Sequence, residues 1–443
     1  MRRYFIETYG CSLNFSDTEY MEGRLRDAGF VPAGSPETAD VVVLNTCTVK
    51  DRTFFNFLSR LKYYDGLRKR HGKEGIPALV IAGCIPRANP GDPALEGRST
   101  LGTDAIGEVA EVAEAALRST VLRRIEPRKA LPRLNQTLVR RHPAIEIVPI
   151  SKGCLGECFY CQTRLARGRL ASYPAGDIVR QIEGALKQGV REIWITSQDT
   201  GAWGIDAGSS LPVLLRQVLK IPGSFRVRLG MANPDHVFPL LPSLLEIFQD
   251  EKMYRFLHLP LQSGSDDVLK AMNRRYTVSR FLDICGAASS MFSDFSIATD
   301  VIVGYPGETD VDFEKTLDVI KEVRPSVVNR SRFSPRPHTR ASLLPGLPSR
   351  VVRDRSRRLT RLIERISREN NRSFMGWRGT ALIDMRKRGD SVIARNGSYK
   401  AIILPSPRDS GRGKSMLEPG MFREVEIVDF TTYHLVGKPI KKG

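Results

Sequence analysis

Asp40-Val41-Val42-Val43-Leu44-Asn45 places four apolar side chains in a row with no polar residue between them. Successive side chains of a strand point to opposite faces, so such a strand needs cover on both sides, as in a parallel sheet flanked by helices. The neighbouring sequence has the matching alternation. Strands are expected at Tyr4 to Tyr9, Asp40 to Asn45 and Pro77 to Ala82. Helices are expected at Ser16 to Ala28, with Ser16 and Asp17 near its start, at Arg52 to Lys69, and at Thr103 to Leu117. This order predicts an open parallel βαβ domain over residues 1–125. Residues 126–143 are basic, carry Pro127, Pro132 and Pro143, and read as a linker that holds at most a little strand.

The same alternation then repeats over a longer span, residues 144–372. Strand candidates are Glu146 to Ile150, Glu192 to Thr196, Arg226 to Gly230, Phe256 to Leu259, Ile297 to Val303 and Ser326 to Arg330, with helices between them. Six strands with interleaved helices predict a TIM-like partial (β/α)6 barrel, whose chemistry would sit at the carboxyl ends of the strands. Over residues 373–440 the pattern changes to about five short strands. The hairpin signal Arg395-Asn396-Gly397-Ser398 and a polar loop at Ser406 to Ser415 punctuate them, which predicts a small all-β barrel. The class is therefore α/β, with this barrel appended.

Seven cysteines in a chain of 443 residues leave an odd thiol, so metal or redox chemistry is a better reading than a disulfide framework. Cys154, Cys158 and Cys161 lie in Gly153-Cys154-Leu155-Gly156-Glu157-Cys158-Phe159-Tyr160-Cys161, just after a strand. Three thiolates on one short loop can each hold one iron of a [4Fe–4S] cube, leaving the fourth iron without a protein ligand. That vacancy can chelate the amino and carboxylate groups of S-adenosylmethionine, whose reductive cleavage gives a 5′-deoxyadenosyl radical. Phe159 and Tyr160 would shield the cluster. Structural zinc wants four ligands, and no fourth Cys or His is near.

Cys11, Cys47 and Cys84 share no local motif. Each stands just past the carboxyl end of an expected strand, and in a parallel sheet those ends share one edge. The three would converge on a second cluster, with Gly10 and Gly83 allowing close backbone approach. Buried packing is the bland alternative for any one of them, and is the reading for Cys285, which lies within a helix. Gln198 and Asp199 follow the second barrel strand, Gln262 follows the fourth, and Asp300 lies in the fifth. All four are candidate contacts to S-adenosylmethionine, with ordinary helix capping at these strand ends as the bland alternative.

The formal charge of +19 points to a polyanionic partner, nucleic acid first. A helix from Arg350 to Arg372 holds nine arginines against Asp354, Glu364 and Glu369, and reads as a phosphate-contacting surface. No apolar run is long enough to span a membrane, and the N-terminus reads as a strand, so a cytoplasmic protein is expected.

The chain resembles the radical S-adenosylmethionine methylthiotransferases over about residues 3 to 438. The resemblance rests on Thr8-Tyr9-Gly10-Cys11 through Glu19, on the cysteine loop running into Leu165 to Ser172, and on Gln262 to Asp266, Ala271 to Tyr276 and Asp300 to Thr309. Gln198-Asp199-Thr200-Gly201 and Cys154 to Tyr160 look most like the archaeal and eukaryotic tRNA branch. That resemblance implies two [4Fe–4S] clusters and S-adenosylmethionine. It implies methylthiolation of threonylcarbamoyladenosine at position 37, in the anticodon arm of tRNA. An electron donor such as a flavodoxin or ferredoxin and a source of sulfur are also implied. The last domain resembles a TRAM-like RNA-binding barrel. The family pattern has glycine where this chain has His338. The alternatives are action on isopentenyladenosine in tRNA, action on an aspartate of a ribosomal protein, and a noncatalytic RNA-binding protein with structural metal.

Overall fold

The computed structural model describes residues 1–443 apart from 49–50, 72–76, 128–132, 387–390, 406–416 and 441–443. The polar loop expected at Ser406 to Ser415 therefore lies outside the described residues. Two compact units emerge: Met1–Arg141 with Ser151–Tyr173 and Ser334–Leu343, and His142–Ile150 with Pro174–Phe333 and Leu344–Gly443. Among the described residues no helix is long and apolar enough to cross a membrane.

The first unit is built on a six-stranded parallel sheet. Its spatial order is Val31–Pro32, Arg3–Thr8, Val41–Thr46, Ala78–Gly83, Ser99–Gly102, Arg123–Arg124. The apolar run behaves as its composition requires. Val41 and Val43 pack with Met21, Leu25 and Val112 on one face, while Val42 and Leu44 pack with Phe57, Leu61 and Tyr64 on the other. Three of the six strands were not legible in the sequence, because two are only two residues long and Ser99–Gly102 opens on two polar residues.

Two helix expectations need correction. The first helix runs Ser12–Asp27, so Ser16 and Asp17 lie inside it and are buried rather than sitting at its start. Aspartate usually favours a helix start because its carboxylate can cap free N–H groups. Here tertiary ion pairs claim the carboxylate instead, as described below. The helix expected at Thr103 to Leu117 is a single tight turn, Ile106–Glu108, followed by Val109–Leu117.

The second unit carries the six expected strands in chain order: Ile145–Pro149, Glu192–Thr196, Arg226–Leu229, Phe256–His258, Ser296–Val303 and Val327–Arg332. They form two three-stranded parallel sheets. Hydrogen bonds from Tyr254 N to Val227 O and from Ala232 N to His258 O, both 3.0 Å, join the sheets into one strip. Five strands, Arg378–Arg386, Ser391–Arg395, Ala401–Pro405, Phe422–Phe430 and Leu435–Pro439, close into a barrel. The hairpin at Asn396 pairs Arg395 with Ala401.

Within this unit a buried polar and aromatic cluster ties the barrel to the strip. Trp194 Nε1 donates to Glu192 Oε1 at 2.6 Å, and Arg395 Nε donates to Asp384 Oδ2 at 2.8 Å. The Tyr399 ring packs edge-on to Tyr254 at 4.8 Å, and the Arg228 guanidinium lies over both Tyr399 and Trp194. Burial, and then the Asp384 carboxylate, push the Glu192 carboxyl up to about 7. A proton held more tightly in the folded state stabilises it below the ordinary carboxyl value of 4.5, and that stability is lost as the pH rises through about 7. The variant Glu192→Gln is accordingly expected to melt closer to wild type at about pH 5 and above it at about pH 8, as read by thermal unfolding. A gap that does not grow with pH would refute this.

Candidate functional site

The switch point of the first sheet lies between Arg3–Thr8 and Val41–Thr46, where the strand order reverses. Cys11 stands at the N-terminal cap of Ser12–Asp27, just past the first of these strands. Cys47 directly follows the second strand, and Cys84 opens the helix Cys84–Ala88 after the adjacent strand Ala78–Gly83. Adjacent parallel strands thus deliver all three thiols to one edge.

The backbone there is drawn in tightly. Gly10 has φ +140°, and a Cβ on it would stand 2.7 Å from Cys47 Cβ. Gly83 has φ +94°, and a Cβ on it would stand 2.6 Å from Thr46 O. Only glycine tolerates both the conformation and the contact. Cys11 Sγ donates to Asn14 Oδ1 at 3.3 Å, while Asn14 Nδ2 reaches Thr46 O at 2.9 Å. Cys47 and Cys84 are buried. A hydrogen bond from Cys47 holds the Cys84 thiol below its ordinary value, and the Arg167 guanidinium adds to this against the effect of burial. The thiolate is the form that ligates iron.

Arg167 belongs to the helix that follows the other cysteine loop, Thr163–Arg167. It is 4% exposed and pairs with Asp17 Oδ2 at 2.7 Å. Arg133 pairs with the second oxygen of Asp17, which is itself fully buried. Burial alone would raise the Asp17 carboxyl, but Arg133 and Arg167 hold it below the usual carboxylate range. The charge of Arg167 also acts on Cys84 and Cys11. One residue before it, Ala166 packs against Cys84 and Ala88, and its carbonyl accepts from Thr103 Oγ1. The two cysteine trios are therefore parts of one compact unit.

In the loop itself, a Cβ on Gly156 would lie 3.4 Å from Cys154 Sγ and 3.7 Å from Cys158 Sγ, so both sulfurs border the same space. Gly156 N donates to Cys154 Sγ at 3.2 Å, and Thr163 N to Cys161 Sγ at 3.4 Å. The segment Ser334–Leu343 anchors this loop. Ala341 N donates to Phe159 O at 2.9 Å, Gln162 Nε2 donates to Pro337 O at 2.8 Å, and Arg340 lies over the Phe159 ring at 4.7 Å. His338, at the position where the resemblance implies glycine, holds φ +62°, the left-handed region glycine favours. Among the described residues no group of three Cys, His, Asp or Glu side chains forms a single-ion site. A cube places each ligand on a different iron and so asks for wider spacing. Thiols in two trios, with backbone N–H donors aimed at sulfur in the loop and glycines where a Cβ would intrude, fit that group.

The other four candidates lie in the second unit, where the structure joins Gln262 to Asp300 and leaves Gln198 and Asp199 as chain neighbours. Gln262 N donates to Asp300 O at 2.7 Å, with Gln262 at φ +65°. Asp300 takes Asn329 Nδ2 at 2.9 Å and His258 Nε2 at 3.0 Å. Gln198 Oε1 is buried without a protein hydrogen-bond partner, an acceptor aimed at no group of the chain. Its neighbour Asp199 is 1% exposed and is filled from within. Asp199 Oδ1 accepts from Gly201 N and Asn233 N, and its Oδ2 accepts from Asn233 Nδ2 and from His236 Nδ1 at 2.7 Å. Asn233 in turn accepts from Arg274. Asn233 and His236 were not singled out in the sequence, because a lone histidine in a short helix carries no ligand pattern, and Arg274 stood in the run Ala271 to Tyr276 without a site role.

Burial works to lower the His236 imidazolium, and the Asp199 carboxylate outweighs it, raising its titration above 6.5. Asp199→Asn should therefore move the His236 midpoint down in a histidine NMR titration. An unmoved midpoint would show that the pair does not set the charge.

The radical SAM superfamily model matches residues 148–320, and the model of uncharacterized protein family UPF0004 matches residues 3–98. The solved radical S-adenosylmethionine methyltransferase TsrM from Kitasatospora setae shares the fold. Its TM-score is 0.55 at 13% identity, over 77% of this chain and 75% of that one. Strip, cysteine loop and family model together define a radical S-adenosylmethionine enzyme. A Pyrococcus abyssi protein named "Probable threonylcarbamoyladenosine tRNA methylthiotransferase" is 39% identical over 442 residues, 99% of each chain. The Methanothermobacter thermautotrophicus protein of the same name is 40% identical over 98% of this chain and 99% of its own. The Homo sapiens threonylcarbamoyladenosine tRNA methylthiotransferase is 34% identical over 99% of this chain and 74% of its own. The chain belongs to the radical S-adenosylmethionine methylthiotransferase family, in the branch that these archaeal and eukaryotic relatives represent.

Proposed function

We propose that this enzyme converts threonylcarbamoyladenosine at position 37 of tRNA to its 2-methylthio form, using two [4Fe–4S] clusters and S-adenosylmethionine. The observation that carries the reading is the second thiol trio. Cys11, Cys47 and Cys84 meet at one sheet edge in the same unit as Cys154, Cys158 and Cys161, and a plain radical enzyme needs only the latter. The names of the relatives supply the substrate.

In this reading Cys154, Cys158 and Cys161 hold the cluster that meets S-adenosylmethionine, and Cys11, Cys47 and Cys84 hold the auxiliary cluster. The bound groups supply reductive cleavage of S-adenosylmethionine and transfer of sulfur to carbon 2 of the adenine. The chain's own residues bind and orient. The Gly156 and Thr163 N–H groups donate to ligand sulfurs. Arg167 holds a fixed positive charge beside the auxiliary thiolates. Gln198, with its unpartnered Oε1, Gln262 and Asp300 contact S-adenosylmethionine, and Asp199 acts with them by fixing Asn233 and His236. The small barrel acts as a TRAM-like RNA-binding domain. A flavodoxin or ferredoxin supplies electrons, a separate donor supplies sulfur, and the setting is cytoplasmic.

The decisive experiment is anoxic turnover with tRNA carrying threonylcarbamoyladenosine, followed by nucleoside mass spectrometry. Appearance of the 2-methylthio nucleoside is expected. Unmodified nucleoside alongside a methylthiolated ribosomal protein, or a colourless preparation loaded with zinc, would end the reading.

A further inference from the structure

The helix Ser349–Arg372 buries one side and leaves the other to solvent. Its inner side seats Leu359, Leu362 and Ile366. Arg355 is also turned inward, to Glu308 Oε2 and Asp310 Oδ1, both at 2.7 Å. The outer side carries Arg350, Arg353, Arg357, Arg361 and Arg365, all exposed. At 100° per residue these five fall within about a third of the helix circumference. From first to last they span about 22 Å, roughly one per turn of 5.4 Å.

Two exposed carboxylates, Asp354 and Glu364, share this arc and are outnumbered by the five arginines, while those nearby pair with other groups. Glu369 pairs with Arg324 at 2.6 Å, Glu364 accepts from Tyr433 Oη at 3.3 Å, and Glu314 takes Arg358 at 2.6 Å. Among the described residues none of the five arginines has an ion pair or a hydrogen bond from its guanidinium. Arg353 and Arg357, Arg357 and Arg361, and Arg361 and Arg365 are like charges at i,i+4, an arrangement that opposes the helix. A face kept merely soluble would balance its signs, whereas here five cations meet two carboxylates. An open groove of about 730 Å³ at the start of the helix is lined by Arg350, Arg353, Arg357 and Arg358, with Asp310 and Asp354.

We propose that this face is a track for the sugar–phosphate backbone of the RNA substrate, with Arg350, Arg353, Arg357, Arg361 and Arg365 each meeting a phosphate. Guanidinium forks suit phosphate oxygens, and a row at one cation per helical turn suits successive phosphates along a strand. An anionic membrane fits less well, because a helix that lies on lipid needs its apolar side outward, and here Leu359, Leu362 and Ile366 are buried. The proposal rests on tRNA being the substrate.

The test replaces the middle three charges, Arg353→Gln, Arg357→Gln and Arg361→Gln, in the full-length holoenzyme. It measures tRNA binding against salt, with thermal melting as the check on folding. The positions are exposed, so unchanged melting is expected. Wild type should lose affinity steeply with salt. The triple variant should flatten the slope of log Kd against log salt by about 2 to 3, since each phosphate contact contributes about 0.7–0.9. It should also bind about 10-fold or more weaker at low salt. An unchanged slope, with wild type still binding and methylthiolating tRNA, overturns the track and leaves the activity standing. Wild type that neither binds nor modifies tRNA removes the substrate reading, and the track with it. Arginine-dependent binding to phosphatidylserine vesicles with an unchanged tRNA slope assigns the face to lipid and overturns the proposal.

Discussion

Replacing Cys154 with alanine will abolish reductive cleavage of S-adenosylmethionine, whereas Cys47→Ala will leave cleavage intact and stop sulfur transfer. The two cysteines sit in the same unit but in different trios. Removing one thiolate from a trio leaves two ligands, too few to hold a cube at three corners. If both trios hold [4Fe–4S] clusters, wild type purified without oxygen carries about eight irons per chain and each variant about four. The readouts are 5′-deoxyadenosine release, nucleoside mass spectrometry and iron content. Cys285→Ala is the control, because Cys285 is buried in the helix Val278–Met291, where burial pushes its thiol up to about 12, a poor ligand state. Thiolation surviving in Cys47→Ala would remove the role given to the second trio, and cleavage surviving in Cys154→Ala would remove that of the first.

Asp17→Ala is expected to destabilise the first unit by about 3–5 kcal/mol, the usual cost of breaking a buried ion pair from one side. Asp17 is fully buried between two guanidiniums that are themselves nearly so, at 6% and 4% exposure. Deleting the carboxylate leaves both cations without water and without their anion. The pH dependence follows from the lowered carboxyl. Its stabilisation is present above the ordinary carboxyl value of 3.8 and is lost as the pH falls through the still lower folded value. A second effect should accompany the first. Arg167, no longer held by Asp17, ceases to support the Cys84 thiolate, and iron retention at the auxiliary trio falls. Anoxic urea unfolding and iron content measure the two effects separately. A loss below about 1 kcal/mol would mean that the arginines find other partners, contrary to the geometry.

The legibility of this chain varied with how local each signal was. The Val41–Leu44 run announced its two-sided burial, and the strip strands and their helices carried strong periodicity, so these elements stood where the sequence placed them. Asp17 misled. Its chemistry favours a helix start, and only tertiary contact with Arg133 and Arg167, each more than a hundred residues away, draws it into the helix interior. Asp199 looked like a ligand contact by its position after a strand. The fold fills its oxygens from Gly201 in the same run, and from Asn233 and His236, residues without a motif of their own. His338 stood out only as a departure from what the resemblance implies, and its φ lies in the left-handed region that favours glycine.

What the sequence determined by itself was the alternation of strand and helix, the five-strand barrel at the end, and the two groups of cysteines. Each of these depends on residue type and on spacing along the chain. What only the tertiary structure decided was which distant charges share a space. Arg167 is brought to Asp17 and Cys84, Arg355 is turned inward, and Arg350, Arg353, Arg357, Arg361 and Arg365 are left facing solvent without an ion pair among the described residues. Electrostatic energy falls with distance in space and takes no account of separation along the chain. Charges far apart in sequence therefore acquire their partners, or lose them, only once the backbone has folded.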